Sequence, residues 1–362
     1  MTEISKQRTV VSRVSLRPVL AMVLAGSIMA ASSGLAQPAD SIGIAAKIPK
    51  NTVVTTVPVG TQPLGMVVSS DNKTVYVANQ GSNTVSVLDA TNGYAVKATT
   101  AVGAAPRYLA ISPNGKTLYV SCNGAGSVYV IDTTQSTYPV TTTLTAGDSP
   151  EGIAVTPNGK ELYVANQGSG TVSVFDTSGS TSPKTITTEG APFLVLFTEQ
   201  GKQADLLNSA GTGYVQFIKA VSGVVSSSTG AGGSIFFPIG FVTDRSASTL
   251  YITSATNYAT LCDAKTGKVT KQFLVTPSLF PGAYLGQPAV TPNGKYLYVA
   301  YTYEGYTPLN QVAMFDVATG KMVGTPIAVG AYPFWLQMAP NGDTLYVANE
   351  NDGTVSVIDT TL

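Results

Sequence analysis

Short apolar runs, separated by small polar loops, recur along most of the chain. Residues 162–177 read LYVANQGSGTVSVFDT, and residues 345–360 read LYVANENDGTVSVIDT. Two further copies begin at Val75 and Leu118. Each copy holds two runs rich in β-branched residues around a loop with glycine, which predicts a pair of antiparallel β-strands. After residue 36, no apolar stretch has the length and periodicity of an amphipathic helix.

A turn motif recurs with these strands, at intervals of about 42 to 48 residues. Its seven copies are SSDNK at 69–73, SPNGK at 112–116, TPNGK at 156–160, TEQGK at 198–202, TDRSA at 243–247, TPNGK at 291–295 and APNGD at 339–343. In the third unit we predict strands at 152–156, 162–165 and 171–175, followed by a threonine-rich fourth strand. Four strands per unit and a period in the forties predict an all-β fold, a seven-bladed β-propeller of four-stranded antiparallel blades.

The two ends of the repeat array complement each other. The chain ends at Leu362, just after the third strand of the seventh unit, while a strand-like run at 52–57 precedes the first unit. We predict that this N-terminal strand joins the last blade and closes the ring, because closure removes open sheet edges. A single propeller domain then spans 52–362, and 37–51 form a short linker.

The first 36 residues differ from the rest. Lys6, Arg8, Arg13 and Arg17 precede an apolar run at 19–31, and small residues follow up to Ala36. This arrangement predicts a secretory signal peptide over 1–36, and therefore export to the periplasm, the extracellular space or the cell surface. The apolar run is short for a bilayer and no second one follows, so we expect no membrane span.

Charge and composition restrict the possible functions. The chain has 20 basic and 20 acidic residues, and several of the basic ones lie in the predicted leader. Beyond the leader the only arginines are Arg107 and Arg245, which argues against nucleic acid as a partner. The chain has no histidine, the commonest general base and metal ligand. We expect no metal, no cofactor and a monomer.

The two cysteines fall on strands of separate repeats. Cys122 ends a strand of the second unit and Cys262 lies within a strand of the fifth. Separated repeats seldom bring two α-carbons within the roughly 7 Å that a disulfide requires. We therefore predict two buried thiols.

The repeated phrase Tyr-Val-Ala-Asn, a loop with glycine, Thr-Val-Ser-Val and Ile-Asp-Thr resembles the repeat of the YVTN-type seven-bladed β-propeller family of bacterial and archaeal secreted and surface proteins. The resemblance covers about residues 52–362, although units four and five depart from it, with LLNSAGTGYVQFIKA at 206–220 and LYITSATNYATLCDA at 250–264. Related propellers include lactonase-type enzymes similar to 6-phosphogluconolactonase. No motif here matches their catalytic positions, so the resemblance implies a fold and not a reaction.

The segments that join the blades differ most in the residues around their prolines. A propeller binds ligands at the mouth of its central channel, where residues escape the structural demands of the repeat. The candidate ligand-binding residues there are Arg107, Tyr108, Glu151, Phe193, Gln287, Tyr332, Phe334 and Trp335. Arginine can orient an anionic group, and aromatic rings can stack on a sugar or another ring system. Alternatively, Arg107 pairs with Glu151 across adjacent blades and the aromatic side chains plug the channel.

The loop of the sixth unit is longer than the others. It runs from residue 301 to 310, is rich in tyrosine, and adds Tyr303 and Glu304 to the candidate site. Tyrosines on an extended loop are typical of a recognition surface. A lid or plug folded over the channel is the alternative.

Two functions compete. A variable rim without an acid–base pair favours an exported, non-catalytic binding or protein-interaction propeller, whose partner is an unknown small molecule or protein. The alternative is an enzyme that hydrolyses a lactone or processes a sugar derivative, with Glu151 as base and Arg107 as electrostatic anchor. Glu151 is the one carboxylate clearly placed at the mouth and histidine is absent, so we rank binding first and assign no catalytic residue.

Overall fold

A computed structural model describes residues 48–208, 215–219, 224–226, 238–275, 284–303 and 309–362 of the chain. These residues belong to one compact unit, Lys47–Leu362. The predicted leader and most of the predicted linker lie outside the described residues.

The described strands form seven antiparallel sheets, one for each predicted blade. Blade one consists of β2 (Pro63–Val68), β3 (Thr74–Asn79), β4 (Thr84–Asp89) and β5 (Ala95–Ala101). Blade two consists of β6 (Pro106–Ile111), β7 (Thr117–Cys122), β8 (Ser127–Asp132) and β9 (Val140–Thr145). Blade three consists of β10 (Pro150–Val155), β11 (Glu161–Asn166), β12 (Thr171–Asp176) and β13 (Lys184–Thr187). Blade four consists of β14 (Pro192–Thr198), β15 (Gln203–Asn208), β16 (Val215–Lys219) and β17 (Val224–Ser226).

The remaining blades follow the same order. Blade five consists of β18 (Pro238–Thr243), β19 (Thr249–Ser254), β20 (Tyr258–Asp263) and β21 (Val269–Leu274). Blade six consists of β22 (Tyr284–Leu285), β23 (Ala289–Val290), β24 (Tyr296–Tyr303), β25 (Leu309–Asp316), β26 (Lys321–Met322) and β27 (Ile327–Ala328). Blade seven consists of β28 (Pro333–Met338), β29 (Thr344–Asn349), β30 (Thr354–Asp359) and β1 (Thr52–Pro58), which pairs antiparallel with β30.

The seven-bladed all-β prediction is confirmed, and the third blade shows how closely the pattern predicts the strands. The predicted strands 152–156, 162–165 and 171–175 are observed as β10, β11 and β12, within two residues at each end. Units four and five also form four-stranded sheets, although their letters depart from the repeat. The regular spacing of the turns therefore predicts a blade even where the repeated motif is absent.

The Asn-Gly turns join the first two strands of a blade. In blade three, Thr156 Oγ1 donates to Asn158 Oδ1 over 2.8 Å and accepts the backbone N–H of Glu161. Gly159 has φ +73°, the left-handed conformation that glycine adopts without strain. The turn therefore fixes the register of β10 against β11, in which Ile153 lies opposite Val164.

Both faces of each blade pack against neighbours, as the near-continuous burial of β3 illustrates. Hydrophobic clusters fill the spaces between blades: Tyr76, Val87, Leu118 and Ile131 join blades one and two, and Tyr163, Val172, Leu206 and Ile218 join blades three and four. First strands of successive blades contact one another around the ring, and β28 of blade seven contacts β2 of blade one. The fourth strands lie outermost and are largely exposed, as in β9.

The first strand of blade six is interrupted between β22 and β23. Pro288 has no N–H to donate to a sheet. Gln287 instead donates its backbone N–H to the Phe334 carbonyl oxygen over 2.7 Å and forms a parallel bridge with Trp335 of blade seven. The innermost strand of blade six thus leaves its own sheet at Gln287 and Pro288, where Gln287 pairs with the neighbouring blade.

The two cysteines are free and buried, as predicted. Burial raises the pKa of each thiol to about 12, so both are neutral and unreactive near pH 7. Within the described residues, no helix is long and apolar enough to cross a membrane.

Candidate functional site

The start of each first strand lies at one end of the channel, beside the loop between the second and third strands. A proline begins most of these strands, and a register shift follows it, between Pro150 and Ile153 in blade three and between Pro106 and Tyr108 in blade two. The residue after the proline therefore leaves the regular ladder. These positions hold Leu64, Arg107, Glu151, Phe193, Ile239 and Phe334.

Arg107 and Glu151 lie next to each other at this mouth, on adjacent blades. The Nε atom of Arg107 is 3.8 Å from Oε1 of Glu151. At that distance the two groups form an ion pair, but the atoms are too far apart for a hydrogen bond. The Glu151 oxygen accepts instead from Nδ2 of Asn123, over 2.9 Å. Asn123 belongs to the loop after β7, so this loop and the first strands meet on one face.

The Glu151 side chain is only 7 % exposed. Burial raises the pKa of its carboxyl group to about 7, and the Arg107 charge opposes only part of that shift. Glu350, half-buried after β29, also has a raised pKa because of burial, again opposed by the charge of Arg107. Arg107, Asn123, Glu151 and Glu350 together are called the mouth cluster below.

These neighbours do not satisfy every hydrogen-bond donor of Arg107. Its Nε atom is buried and has no hydrogen-bond partner among the described residues. Its side chain as a whole is 32 % exposed. A half-buried arginine with a free donor can bind a carbonyl or carboxylate oxygen brought from solution.

Tyr108 and Trp335 pack against each other on the inner strands, next to the mouth cluster. Their rings pack edge to face with centroids 5.1 Å apart, although they belong to blades two and seven. Gly65 of the intervening blade allows β2 and β6 to approach closely, because a Cβ atom there would meet the backbone of Arg107 and Tyr108. Tyr108 is buried and Trp335 half-buried. That aromatic side chains plug the channel stays a prediction.

Phe193 and Gln287 are buried below the rim. Phe193 packs in the core that joins blades two to five. Nε2 of Gln287 donates to the Phe241 carbonyl oxygen over 2.7 Å, while its Oε1 has no hydrogen-bond partner among the described residues. Nε1 of Trp335 is likewise buried and unpaired within the described structure. Gln287 Oε1 and Trp335 Nε1 are thus two polar atoms of the channel wall without a hydrogen-bond partner among the described residues.

The aromatic residues of blades six and seven form a separate part of the rim. Phe334 and Tyr332 are half-buried. The ring of Tyr332 lies 6.5 Å, between centroids, from that of Tyr284, which is 57 % exposed. Tyr303 ends β24, but its side chain lies outside the described residues, and so does Glu304.

Two cavities that share part of their lining lie beside Trp335. One, of about 280 Å³, is lined by Tyr108, Leu194, Phe241, Gln287 and Trp335 among others. A second, of about 290 Å³, shares Gln287, Trp335 and Gln337 with it and extends to the turns of blades five, six and seven. Trp335 therefore borders both cavities, and the second cavity extends to the turn face.

The structure brings to the site three residues that are not among the candidate ligand-binding residues predicted from the sequence. Asn123 and Glu350 occupy loop positions of the repeat, where neighbouring copies hold Asn166 or Gln80, so their letters alone gave no sign of a special role. Tyr284 lies upstream of a segment without the usual proline spacing. In each case the only signal in the sequence was proximity to a mouth-facing loop.

A family model described as "Lactonase, 7-bladed beta-propeller" matches residues 46–143 and 94–191. The two overlapping matches span blades one to three and less than half of the chain. They include Arg107, Asn123 and Glu151 of the mouth cluster. No curated protein matches the sequence.

Solved structures share the fold over most of the chain. The structure titled Kuenenia stuttgartiensis hydrazine synthase is 22 % identical with a TM-score of 0.70, and the match covers 89 % of this chain and 99 % of that one. The Cps50 (Swd1) β-propeller domain of Myceliophteria thermophila is 12 % identical with a TM-score of 0.71, covering 86 % of this chain and 100 % of that one. At these identities the likeness shows the fold alone. The chain is thus a seven-bladed β-propeller that resembles the lactonase type.

Proposed function

We propose that this chain is an exported ligand-binding propeller whose mouth cluster takes a small polar molecule with a carbonyl or carboxylate group. The observation that carries the proposal is Arg107. Its Nε atom is buried, 3.8 Å from Glu151, and has no acceptor among the described residues. Buried polar atoms are nearly always paired, so a donor left free at a channel mouth fits a ligand acceptor.

Further groups support a small molecule over a large partner. Phe334, Tyr332 and Tyr284 lie on the blade six and seven side of the mouth and offer apolar ring surface. Such a mixture of aromatic walls and a few polar groups is typical of small-molecule sites. In this proposal residues 1–36 direct export, residues 37–51 are a linker, and the propeller acts as a monomer.

Lactone hydrolysis is the second candidate, favoured by the lactonase-type match and by Glu151. Because its pKa is about 7, a substantial fraction of Glu151 is ionised at neutral pH and the group exchanges protons readily. It would take a proton from water as that water attacks the lactone carbonyl, with Arg107 stabilising the oxyanion. The ring C–O bond then breaks, and the leaving oxygen recovers the proton.

A thermal-shift series on the full chain tests the proposal, with aldonolactones, sugar acids and dicarboxylates as probes. We expect a sugar acid or dicarboxylate to raise Tm by linkage, and the shift to disappear in Arg107→Ala. Arg245→Ala is the matched control, because Arg245 is the other arginine of the propeller and lies on the turn face. An equal shift in Arg107→Ala, or no response to any probe, would contradict the proposal.

Turnover separates the two candidates. Release of acid from an aldonolactone, measured with a pH indicator, should be undetectable above the uncatalysed rate if the site only binds. Hydrolysis that disappears in Glu151→Gln, while binding of the hydrolysed acid persists, would establish the enzyme instead.

A further inference from the structure

A tyrosine in the second strand of a blade marks a slot between that blade and the next. Between blades seven and one, Tyr346 packs edge to face against Tyr94, with ring centroids 6.0 Å apart. Between blades one and two, Tyr76 packs in the same way against Tyr138, at 6.1 Å. Tyr94 and Tyr138 come from the loops that follow the third strands, and both have positive φ. In each slot, the following blade thus supplies a phenol ring.

The slot between blades two and three has the same receiving tyrosine but no ring from the loop. Tyr119 of β7 occupies the position of Tyr76 and is 6 % exposed. The loop after β12 reads TSGSTSP at 177–183 and contains no aromatic residue. Thr181 follows Asp176 by five residues, the separation between Asp89 and Tyr94. A threonine therefore stands where blade one has a tyrosine.

The three loops begin in the same way. In each, the last residue of the third strand accepts a backbone N–H two residues further on, at Asp89, Asp132 and Asp176. These are the same side-chain turns, so the loops start in equivalent conformations. Further along, the loops differ, because Tyr94 and Tyr138 have positive φ and Thr181 does not.

A cavity of about 450 Å³ lies in the slot of blades two and three. Its lining includes Tyr119, Val130, Leu144, Leu162 and Phe175, with Gly179, Ser180 and Thr181 at the loop. The counterparts of four of these residues, Tyr76, Val87, Leu118 and Ile131, form the cluster that holds Tyr138 between blades one and two. The cavity thus keeps an apolar lining matched to a tyrosine side chain.

We propose that this slot binds a tyrosine side chain carried by an extended segment of a partner protein. In both filled slots the ring arrives on a polypeptide, and the volume leaves room for residues beside a single ring. The lining includes the charged residues Lys116, Asp132 and Asp176, two acidic and one basic. This charge favours a segment with a basic residue next to the tyrosine.

The N-terminal part of this chain cannot supply the ring. Residues 1–47 contain no phenylalanine, tyrosine or tryptophan. The site is also separate from the mouth cluster, since none of the mouth cluster residues lines the cavity. The inference is therefore independent of the proposed ligand at the channel.

Calorimetric titration of the full chain with the peptides acetyl-Lys-Tyr-Lys-amide and acetyl-Lys-Ala-Lys-amide tests the proposal. We expect one site for the tyrosine peptide and at least tenfold weaker binding of the alanine peptide. Equal binding of the two peptides, or no binding of the tyrosine peptide, would overturn it.

Thr181→Tyr restores the ring that blades one and two carry and should fill the slot. We expect a higher Tm and at least a tenfold loss of peptide affinity. Thr143→Tyr is the matched control, because Thr143 is an exposed residue of β9 that does not line the cavity. Unchanged affinity in Thr181→Tyr would show that the peptide binds elsewhere.

The reverse substitution tests the equivalence of the slots. Tyr138→Gly empties the slot of blades one and two, and glycine tolerates the positive φ at this position. With p-cresol as probe, we expect the stoichiometry to rise from one to two. A stoichiometry that stays at one would refute the equivalence of the slots. Binding of p-cresol by a protein that binds neither peptide would overturn the partner segment and indicate a small phenol as the ligand.

Discussion

Glu151 shows at the level of a single residue how the fold changes the chemistry of a side chain. The first strand of blade three carries it into the ring, where it is 7 % exposed. Its nearest positive charge, Arg107, is 3.8 Å away and does not compensate the loss of hydration. The carboxyl group therefore keeps its proton up to a pH of about 7.

This raised pKa makes the stability depend on pH in a defined direction. Between the ordinary value of 4.5 and about 7, the folded state binds a proton that the unfolded state does not hold. The free energy of unfolding contributed by Glu151 is therefore highest below pH 4.5 and falls as the pH rises through 7, by up to about 3 kcal/mol. Glu151→Gln mimics the protonated form, so the variant should exceed the wild type in stability at pH 8 and equal it near pH 4.

Urea denaturation of both proteins from pH 4 to 8 measures this difference directly. Taking the difference removes the contributions of aspartates such as Asp89 and Asp132, whose pKa values are lowered by hydrogen bonds. Glu189→Gln, at an exposed glutamate after β13, is the matched control. A pH-independent difference for Glu151→Gln would show that folding does not raise the pKa of Glu151.

At the scale of the element, the repeated asparagine explains why the phrase recurs. Asn166 ends β11 and is fully buried. Its Nδ2 donates to Thr171 over 3.1 Å and to Ser173 over 2.9 Å, and its Oδ1 accepts the N–H of Gly147. The side chain thus ties the second strand to the third and to the segment entering the blade. Asn79 and Asn349 make the same pair of donations in blades one and seven.

Loss of this asparagine should weaken folding and leave ligand binding intact. Asn166→Ala leaves the Ser173 hydroxyl and the Gly147 N–H without their partner, at a cost of about 1–3 kcal/mol. We expect similar costs for Asn79→Ala and Asn349→Ala in urea denaturation. Gln80→Ala, one residue beyond Asn79 in the half-buried loop, is the control. A variant of normal stability with altered affinity for a mouth ligand would instead make the repeated asparagine part of a site.

The strands themselves were predictable because their signals are local. Alternating β-branched residues and Asn-Gly turns act within about ten residues, and β10 to β12 follow them closely. The break in blade six was not predicted, because the pairing of Gln287 with Trp335 depends on a neighbouring blade. Pro288 was the local sign that the strand could not be continuous.

At the scale of the whole molecule, the site depends on which residues the ring brings together. The sequence predicted that Arg107, Glu151 and Trp335 lie at one mouth. It left open whether Arg107 pairs with Glu151, whether the aromatic side chains plug the channel, or whether these residues bind a ligand. The contact of Tyr108 with Trp335 joins blades two and seven, and Gly65 of blade one packs closely against the Tyr108 backbone. No local pattern contains such a relation, because it arises only when blades one, two and seven are adjacent.

The strand β1 pairs with the last blade next to the contact between blades one and seven. β1 pairs with β30 from Thr52 opposite Asp359 to Pro58 opposite Thr354. Beside it, Lys50 donates its backbone N–H to the Thr361 carbonyl oxygen over 2.9 Å, and Tyr298 donates to Asn51 over 2.9 Å. We infer that this strand acts as a latch that holds the ring closed.

Truncation tests the latch. A chain that begins at residue 59 lacks β1 and exposes the edge of β30, whereas a chain that begins at residue 48 retains every contact of that strand. We expect the shorter chain to melt at a markedly lower temperature and to associate through the free edge, because unpaired edge strands recruit other chains. The chain from residue 48 should match the full chain in Tm and remain monomeric. Equal Tm values and monomeric behaviour for both truncations, by scanning calorimetry and light scattering, would show that contacts between the inner strands β2 and β28 suffice to close the ring.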